Sequence, residues 1–193
     1  MAAALVPGRR LRAEPRAPQL LDAVARVAGA FTELDGTTIR VDLLGPASRA
    51  DGMAFPEQRP PRIAFPRRMV GAPELGGVIA HELTHLLQRP RGPYPNGERA
   101  CDLFSLARCG TRFPAAPSYL RVPPGTRDHW THWAPLATVL ARRAVAERDG
   151  GVRRYIRWWE GEFARSVAAA RRDSLFGDAS GLTDDFKGGM GPI

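Results

Sequence analysis

A chain of 193 residues, 44% hydrophobic and 25% charged, is long enough for one domain with a sizeable core and too evenly polar for a membrane-embedded protein. No stretch reaches the roughly 20 uninterrupted apolar residues that cross a bilayer. In the short apolar run at residues 1–7 the arginines follow instead of preceding it, the wrong order for a secretory signal, so a cytoplasmic protein without a membrane partner is expected. The formal charge of +8 and a pI near 10.8 fit a nucleic-acid or acidic partner, although Lys187 is the only lysine and so strong a preference for arginine can reflect coding bias.

Residues 1–17 are rich in Arg, Pro and Ala without periodicity and are expected to be mobile. Leu20, Leu21, Val24, Val27, Ala28 and Phe31 then recur at helical spacing up to Asp35-Gly36. Residues 37–44 alternate, with Ile39, Val41 and Leu43 on one side, which predicts a strand. Residues 45–61 read as loop. Arg62 to Phe65 lies between prolines and reads as a short edge strand, where a missing donor does no harm. Pro73 suits the first turn of a helix that carries Leu75, Val78, Ile79, Leu86 and Leu87 inward and stops at Pro90. A second helix is expected over residues 98–108. After a proline-rich stretch, two more helices are expected at about 135–148 and 152–172, and then a mobile tail over 173–193. Cys101 and Cys109 fall on one predicted helix, about 12 Å apart along its axis and too far for a disulfide. Buried thiols in a reducing compartment are expected.

His81-Glu82-Leu83-Thr84-His85 concentrates the chemistry. Histidines four apart on a helix stand one turn apart, about 6 Å along the axis, so both imidazoles reach one ion. Glu82, about 100° round from His81, flanks that ion and is placed to take a proton from activated water. Zinc suits such a site because it accepts three protein ligands and keeps a fourth position open. The third ligand expected is Glu98, returned over the ion by a chain reversal after His85. Asp102, one turn on, is placed to fix a histidine tautomer and competes as a ligand. The alternative role for Glu98 is to cap its own helix.

His81-Glu82-Leu83-Thr84-His85 followed by Glu98-Arg99-Ala100-Cys101-Asp102 resembles the gluzincin zinc metallopeptidases, HExxH and then ExxxD. The short spacing is most similar to the minimal gluzincins and the ImmA/IrrE-like regulatory proteases. The resemblance covers residues 37–110. It implies His81, His85 and Glu98 as zinc ligands, Glu82 as general base and Asp102 behind the ligands. It also implies an α+β fold in which a small mixed sheet packs on the HExxH helix and the Glu-bearing helix. An edge strand of that sheet would pair with an extended peptide, and Arg62 to Phe65 is the candidate. The expected organisation is therefore a single zincin-like domain over 18–172, with its catalytic core at 37–110 and a helical extension at 126–172.

A peptide hydrolase also needs a donor for the tetrahedral oxyanion. The candidates are Tyr94 in the loop between the ligand helices and His129 and His132 in His129-Trp130-Thr131-His132-Trp133. The latter segment reads equally well as an aromatic packing corner over the zinc helix, and the Pro-Tyr-Pro turn as a rigid one. Arg153, Arg154, Arg157 and Arg165 lie off the apolar stripe of the last helix and form a basic face suited to phosphates or to water. Three readings follow: a zinc peptidase acting on a protein or peptide, a nucleic-acid-associated protein with a structural zinc, and a non-enzymatic partner-binding relative of the peptidase fold.

Overall fold

The computed structural model describes residues 1–88, 94–110 and 115–177. It is an α+β fold, with a four-stranded mixed sheet against helices. The strands are β1 (Ala4–Pro7), β2 (Thr38–Leu43), β3 (Met53–Phe55) and β4 (Arg62–Phe65), in the order β1-β2-β4-β3. The helices are α1 (Ala17–Ala28), α2 (Leu75–Leu87), α3 (Glu98–Cys109), α4 (Trp130–Asp149) and α5 (Tyr155–Gly177). β1 and β4 run parallel to β2, whereas β3 returns antiparallel to β4.

Alternation in β2 sets the core. Ile39, Val41 and Leu43 fall on one face, and pairing of Val41 with Ile63 and Leu43 with Phe65 puts the β4 residues on the same face. These join Leu20, Val24 and Val27 of α1 and Ile79 and Leu83 of α2 in one buried cluster. No helix among the described residues is long and apolar enough to cross a membrane.

Four expectations are corrected. Residues 1–17, read as a mobile segment, supply edge strand β1, a 3-10 turn at Leu11–Ala13 and a fully buried Leu11. The cause lies far along the chain: the buried Asp42 carboxylate accepts the backbone N–H groups of Arg10 and Leu11 at 3.0 Å and of Leu43 at 2.9 Å. Arg62 to Phe65 is not an edge strand, because β4 lies between β2 and β3. Its prolines stand just outside it, so every N–H within it remains free to pair on either side. Its outer neighbour β3 lies within residues 45–61, read as loop; three residues are too few to show a period.

The fourth correction concerns α4, which begins at Trp130, five residues before the expected start, and contains Pro135. Trp130 is 2% exposed. It packs edge-on against Phe163 of α5, with ring centroids 6.1 Å apart. That burial outweighs the hydrogen bond the proline forfeits. The aromatic segment thus joins α4 to α5 through Trp130 and Trp133 against Phe163. Of the tail expected from 173, residues 173–177 continue α5; residues 178–193 lie outside the described residues.

Asp42→Ala strips three backbone donors of their acceptor, a loss of roughly 2–4 kcal/mol. Urea unfolding should show a lower midpoint, and an unchanged midpoint would mean that this clamp does not hold the N-terminal strand.

Candidate metal centre

Helix α2 places His81 and His85 one turn apart, with ring centroids 4.8 Å apart at 71°. Helix α3 lies across it and is locked by a polar contact in the apolar interface. The Thr84 hydroxyl donates to the Ala80 carbonyl at 2.9 Å, so Ser105 donates to Thr84, also at 2.9 Å. One turn back on both helices, Asp102 Oδ1 lies 2.8 Å from His81 Nδ1. The other Asp102 oxygen accepts the Tyr119 amide at 2.6 Å.

The remaining ring nitrogens converge on Glu98. His81 Nε2 stands 2.8 Å from Glu98 Oε2, His85 Nε2 stands 3.4 Å from the same oxygen, and the two Nε2 atoms are 3.1 Å apart. Glu98 occupies the first position of α3, where the helix dipole favours a carboxylate. It follows Gly97, whose φ of 107° is open to glycine and strained for other residues.

A test of fit to a cation follows from hydrogen-bonding roles. Asp102 only accepts, so His81 Nδ1 carries a proton and the Nε2 lone pair faces Glu98. His85 Nδ1 lies 2.9 Å from Gln88 Oε1. The Gln88 amide nitrogen is turned to the Pro95 carbonyl at 2.6 Å, which fixes Oε1 as the atom facing His85. His85 Nδ1 therefore also carries a proton. Two imidazole lone pairs and a carboxylate oxygen thus face one another with no donor among them, an arrangement that needs a proton or a cation at its centre. Tetrahedral zinc ligands at 2.0–2.2 Å stand about 3.3–3.6 Å apart, so the triangle suits zinc after opening by a few tenths of an ångström.

A second donor set shares the histidines, since ligand atoms of His81, His85 and Cys101 all lie within 4.8 Å of one another. The Cys101 sulfur, however, sits 3.3 Å from His85 Nδ1, the nitrogen committed to Gln88. Burial, with the nearby Glu98 and Asp102 carboxylates, also pushes its thiol pKa well up. The geometry favours Glu98 as the third donor.

Glu82 is 6% exposed. Burial raises its carboxyl to about 7 against the pull of His81, with Glu98 adding to the rise and the Ala54 amide of β3 opposing it. Space for this carboxylate depends on Gly52, where a Cβ would come within 2.7 Å of Glu82 Oε1 and of Val78. At His81, burial opposes the charged ring. The Asp102 carboxylate, with Glu82 and Glu98, outweighs it and raises the pKa above the ordinary histidine value.

A cleft of about 610 Å³ opens over His81, Glu82 and Asp102, between the segment around Arg49 and Gly52 and the segment from Ala115 to Tyr119. Along α2 its wall is Glu74, Gly77, Val78, His81 and Glu82. The Tyr119 ring stacks on His81 at 5.6 Å and 29°. Burial and the surrounding carboxylates raise its phenol pKa, so the hydroxyl keeps its proton.

The structure therefore brings together His81, Glu82, His85, Glu98 and Asp102. It does not bring the three oxyanion candidates to the cleft. His129 and His132 are exposed at the start of α4, and His132 packs on Trp133. The Tyr94 hydroxyl bonds Glu33 and accepts from Arg108, on the side of the molecule near Phe31. Tyr119 and Gln88 were missed. Gln88 carried a signal, since a residue three after His85 stands beside it on the helix; Tyr119 carried none. No protein family, curated protein or solved structure matches the chain.

The charges make a pH prediction. Glu82 and His81 both have folded pKa values above their unfolded ones. Each therefore contributes stability that is full below its unfolded pKa, 4.5 and 6.5 respectively, and lost as pH rises through the folded value. In chelator the protein should weaken from pH 5 to pH 8. Glu82→Gln should remove part of that loss, on the order of 2 kcal/mol. Equal slopes for both proteins in thermal unfolding would contradict the assignment of a buried, near-neutral Glu82.

Proposed function

We propose that the protein is a zinc-dependent peptidase of the gluzincin type, cleaving peptide bonds with an activated water. The observation that carries this reading is the meeting of His81 Nε2, His85 Nε2 and Glu98 Oε2 beside a buried carboxyl with a pKa near 7. When bound, zinc supplies a Lewis acid that acidifies water and polarises a carbonyl. His81, His85 and Glu98 would hold it, Asp102 and Gln88 keeping both imidazoles in the ligating tautomer.

Glu82 takes a proton from the attacking water and returns it to the leaving amine nitrogen, for which a pKa near neutrality is well matched. Tyr119, protonated at the cleft wall, donates to the developing oxyanion in place of His129, His132 or Tyr94. The substrate is an extended peptide lying along β3, whose outer side no other strand pairs among the described residues. Cys101 and Cys109 are buried and form no disulfide, which suits a reducing compartment, and we place the reaction in the cytoplasm.

The test is metal content and turnover on a peptide library. The wild type should carry one zinc, and His81→Ala should lose it. Glu82→Gln should keep the metal but lose activity by about 100-fold or more. Tyr119→Phe should lower kcat with little change in KM. A full zinc load in His81→Ala, or normal turnover in Glu82→Gln, overturns the proposal.

A second reading, a polyanion-binding protein with a structural metal, rests on charge segregation. Residues 121–172 hold eleven arginines against five carboxylates. Arg153, Arg154 and Arg157 are exposed at the start of α5, where the helix dipole disfavours cations. Arg165 pairs with Glu162, and Trp158 lies under Arg143 at 5.1 Å, which leaves phosphate contact instead of base stacking. Under this reading a duplex DNA probe binds with steep salt dependence, and replacing those three arginines with Gln weakens binding roughly tenfold or more. Anisotropy flat at low salt removes it.

A further inference from the structure

Gln88 caps the C-terminus of α2, its backbone N–H returning to Thr84 and His85 at 3.2 Å. Its side chain faces two ways. Oε1 accepts from His85 Nδ1 at 2.9 Å, and Nε2 donates to the Pro95 carbonyl at 2.6 Å, with the Gly97 carbonyl 3.5 Å away. The next residue is Glu98. One amide thus joins a candidate metal-holding imidazole to the turn that presents the third ligand, across the connection between the two helices.

We infer that Gln88 is a positioning residue that closes the connection between the ligand helices and sets the His85 tautomer, so that the His85 and Glu98 donors are held together before a cation arrives. This rests on the metallopeptidase reading above. The two partners demand opposite hydrogen-bonding roles. An amide is among the few side chains that offer an acceptor and a donor from one planar group. A carboxylate would accept from His85 but repel the Pro95 and Gly97 carbonyls. An ammonium or guanidinium group would do the reverse. Cys101, the other group near His85 Nδ1, is a weak hydrogen-bonding partner for an imidazole. Closing the connection through a side chain also removes much of the loop entropy that metal binding would otherwise have to overcome.

Two variants separate the halves of this role. Gln88→Met keeps the volume and removes both contacts; Gln88→Glu keeps the acceptor for His85 and loses the donor to the turn. Zinc affinity, by competition with a chromophoric chelator, should fall about 10–100-fold in Gln88→Met and recover in large part in Gln88→Glu. Amide exchange over residues 94–99 of the metal-free protein should quicken in both, while its thermal midpoint stays near that of the wild type. An affinity for Gln88→Met within twofold of wild type, while His81→Ala binds no zinc, overturns the inference and leaves the peptidase reading standing. A wild type that binds no zinc overturns both. Unchanged exchange in both variants overturns the closure of the connection.

Discussion

Three electron-pair donors turned toward one another are an expensive thing to build into a protein. Both imidazoles are largely withdrawn from water, Glu98 is about half exposed, and none of the three offers its neighbours a hydrogen. Between α2 and α3 the two Nε2 atoms and Glu98 Oε2 stand 2.8–3.4 Å apart, so the surroundings must hold them against repulsion. Asp102 takes the outer proton of one ring and Gln88 that of the other. The Thr84–Ser105 contact fixes the helices one turn further on. The same constraint explains why polar residues line part of an otherwise apolar helix interface: without them the rings rotate and the donors turn outward to water.

The helical extension belongs to this arrangement. Arg99, beside Glu98, pairs with Glu160 of α5 at 2.5 Å, and the opposite end of α3 is held by Arg142 of α4, which donates to the Ala107 carbonyl at 3.0 Å. Between these points Trp159 of α5 donates to the Ala137 carbonyl of α4 at 3.0 Å, and Trp130 and Trp133 of α4 pack on Phe163, making α4 and α5 one unit. Helix α3 is therefore clamped from behind at both ends while its front faces α2. A hydrogen bond to a charged group contributes about 1.5–3 kcal/mol, and losing the Arg99–Glu160 pair would loosen the very turn that positions Glu98.

How much of this was legible in the sequence depended on distance along the chain. The histidine pair, Glu82 between them and the helices bearing His81 and Glu98 follow from spacing within a few residues, because helical geometry is local. The β2 strand showed itself by alternation. β1 did not, since it is held by pairing with β2 and by the Asp42 bonds to Arg10 and Leu11 just after it, some thirty residues away in sequence, and no pattern in Ala4 to Pro7 announces distant partners. β3 is held by pairing with β4 and by the Glu82 contact, which three residues cannot signal. Tyr119 reaches the cleft because its amide meets Asp102, a contact of one backbone group that leaves no mark on side-chain pattern. The aromatic segment at Trp130 was legible as packing, but its partner was α5.

A proton and a divalent cation are competing answers to the same electrostatic problem. Without metal, the cluster is relieved when His81 takes a second proton, a charge that burial opposes and that Asp102 favours most, with Glu82 and Glu98 adding to it. A cation placed among the three donors satisfies them more completely, and the His81 proton must leave as it binds. Glu82 stands close enough to feel either charge, and His81 in its charged form already lowers the Glu82 pKa against the effect of burial. Metal binding would hold a positive charge there permanently and shift Glu82 toward its ionised, basic form. In the proposed enzyme the ion that activates water would also ready the carboxylate that deprotonates it, whereas without metal a larger share of Glu82, with its pKa about 7, stays protonated.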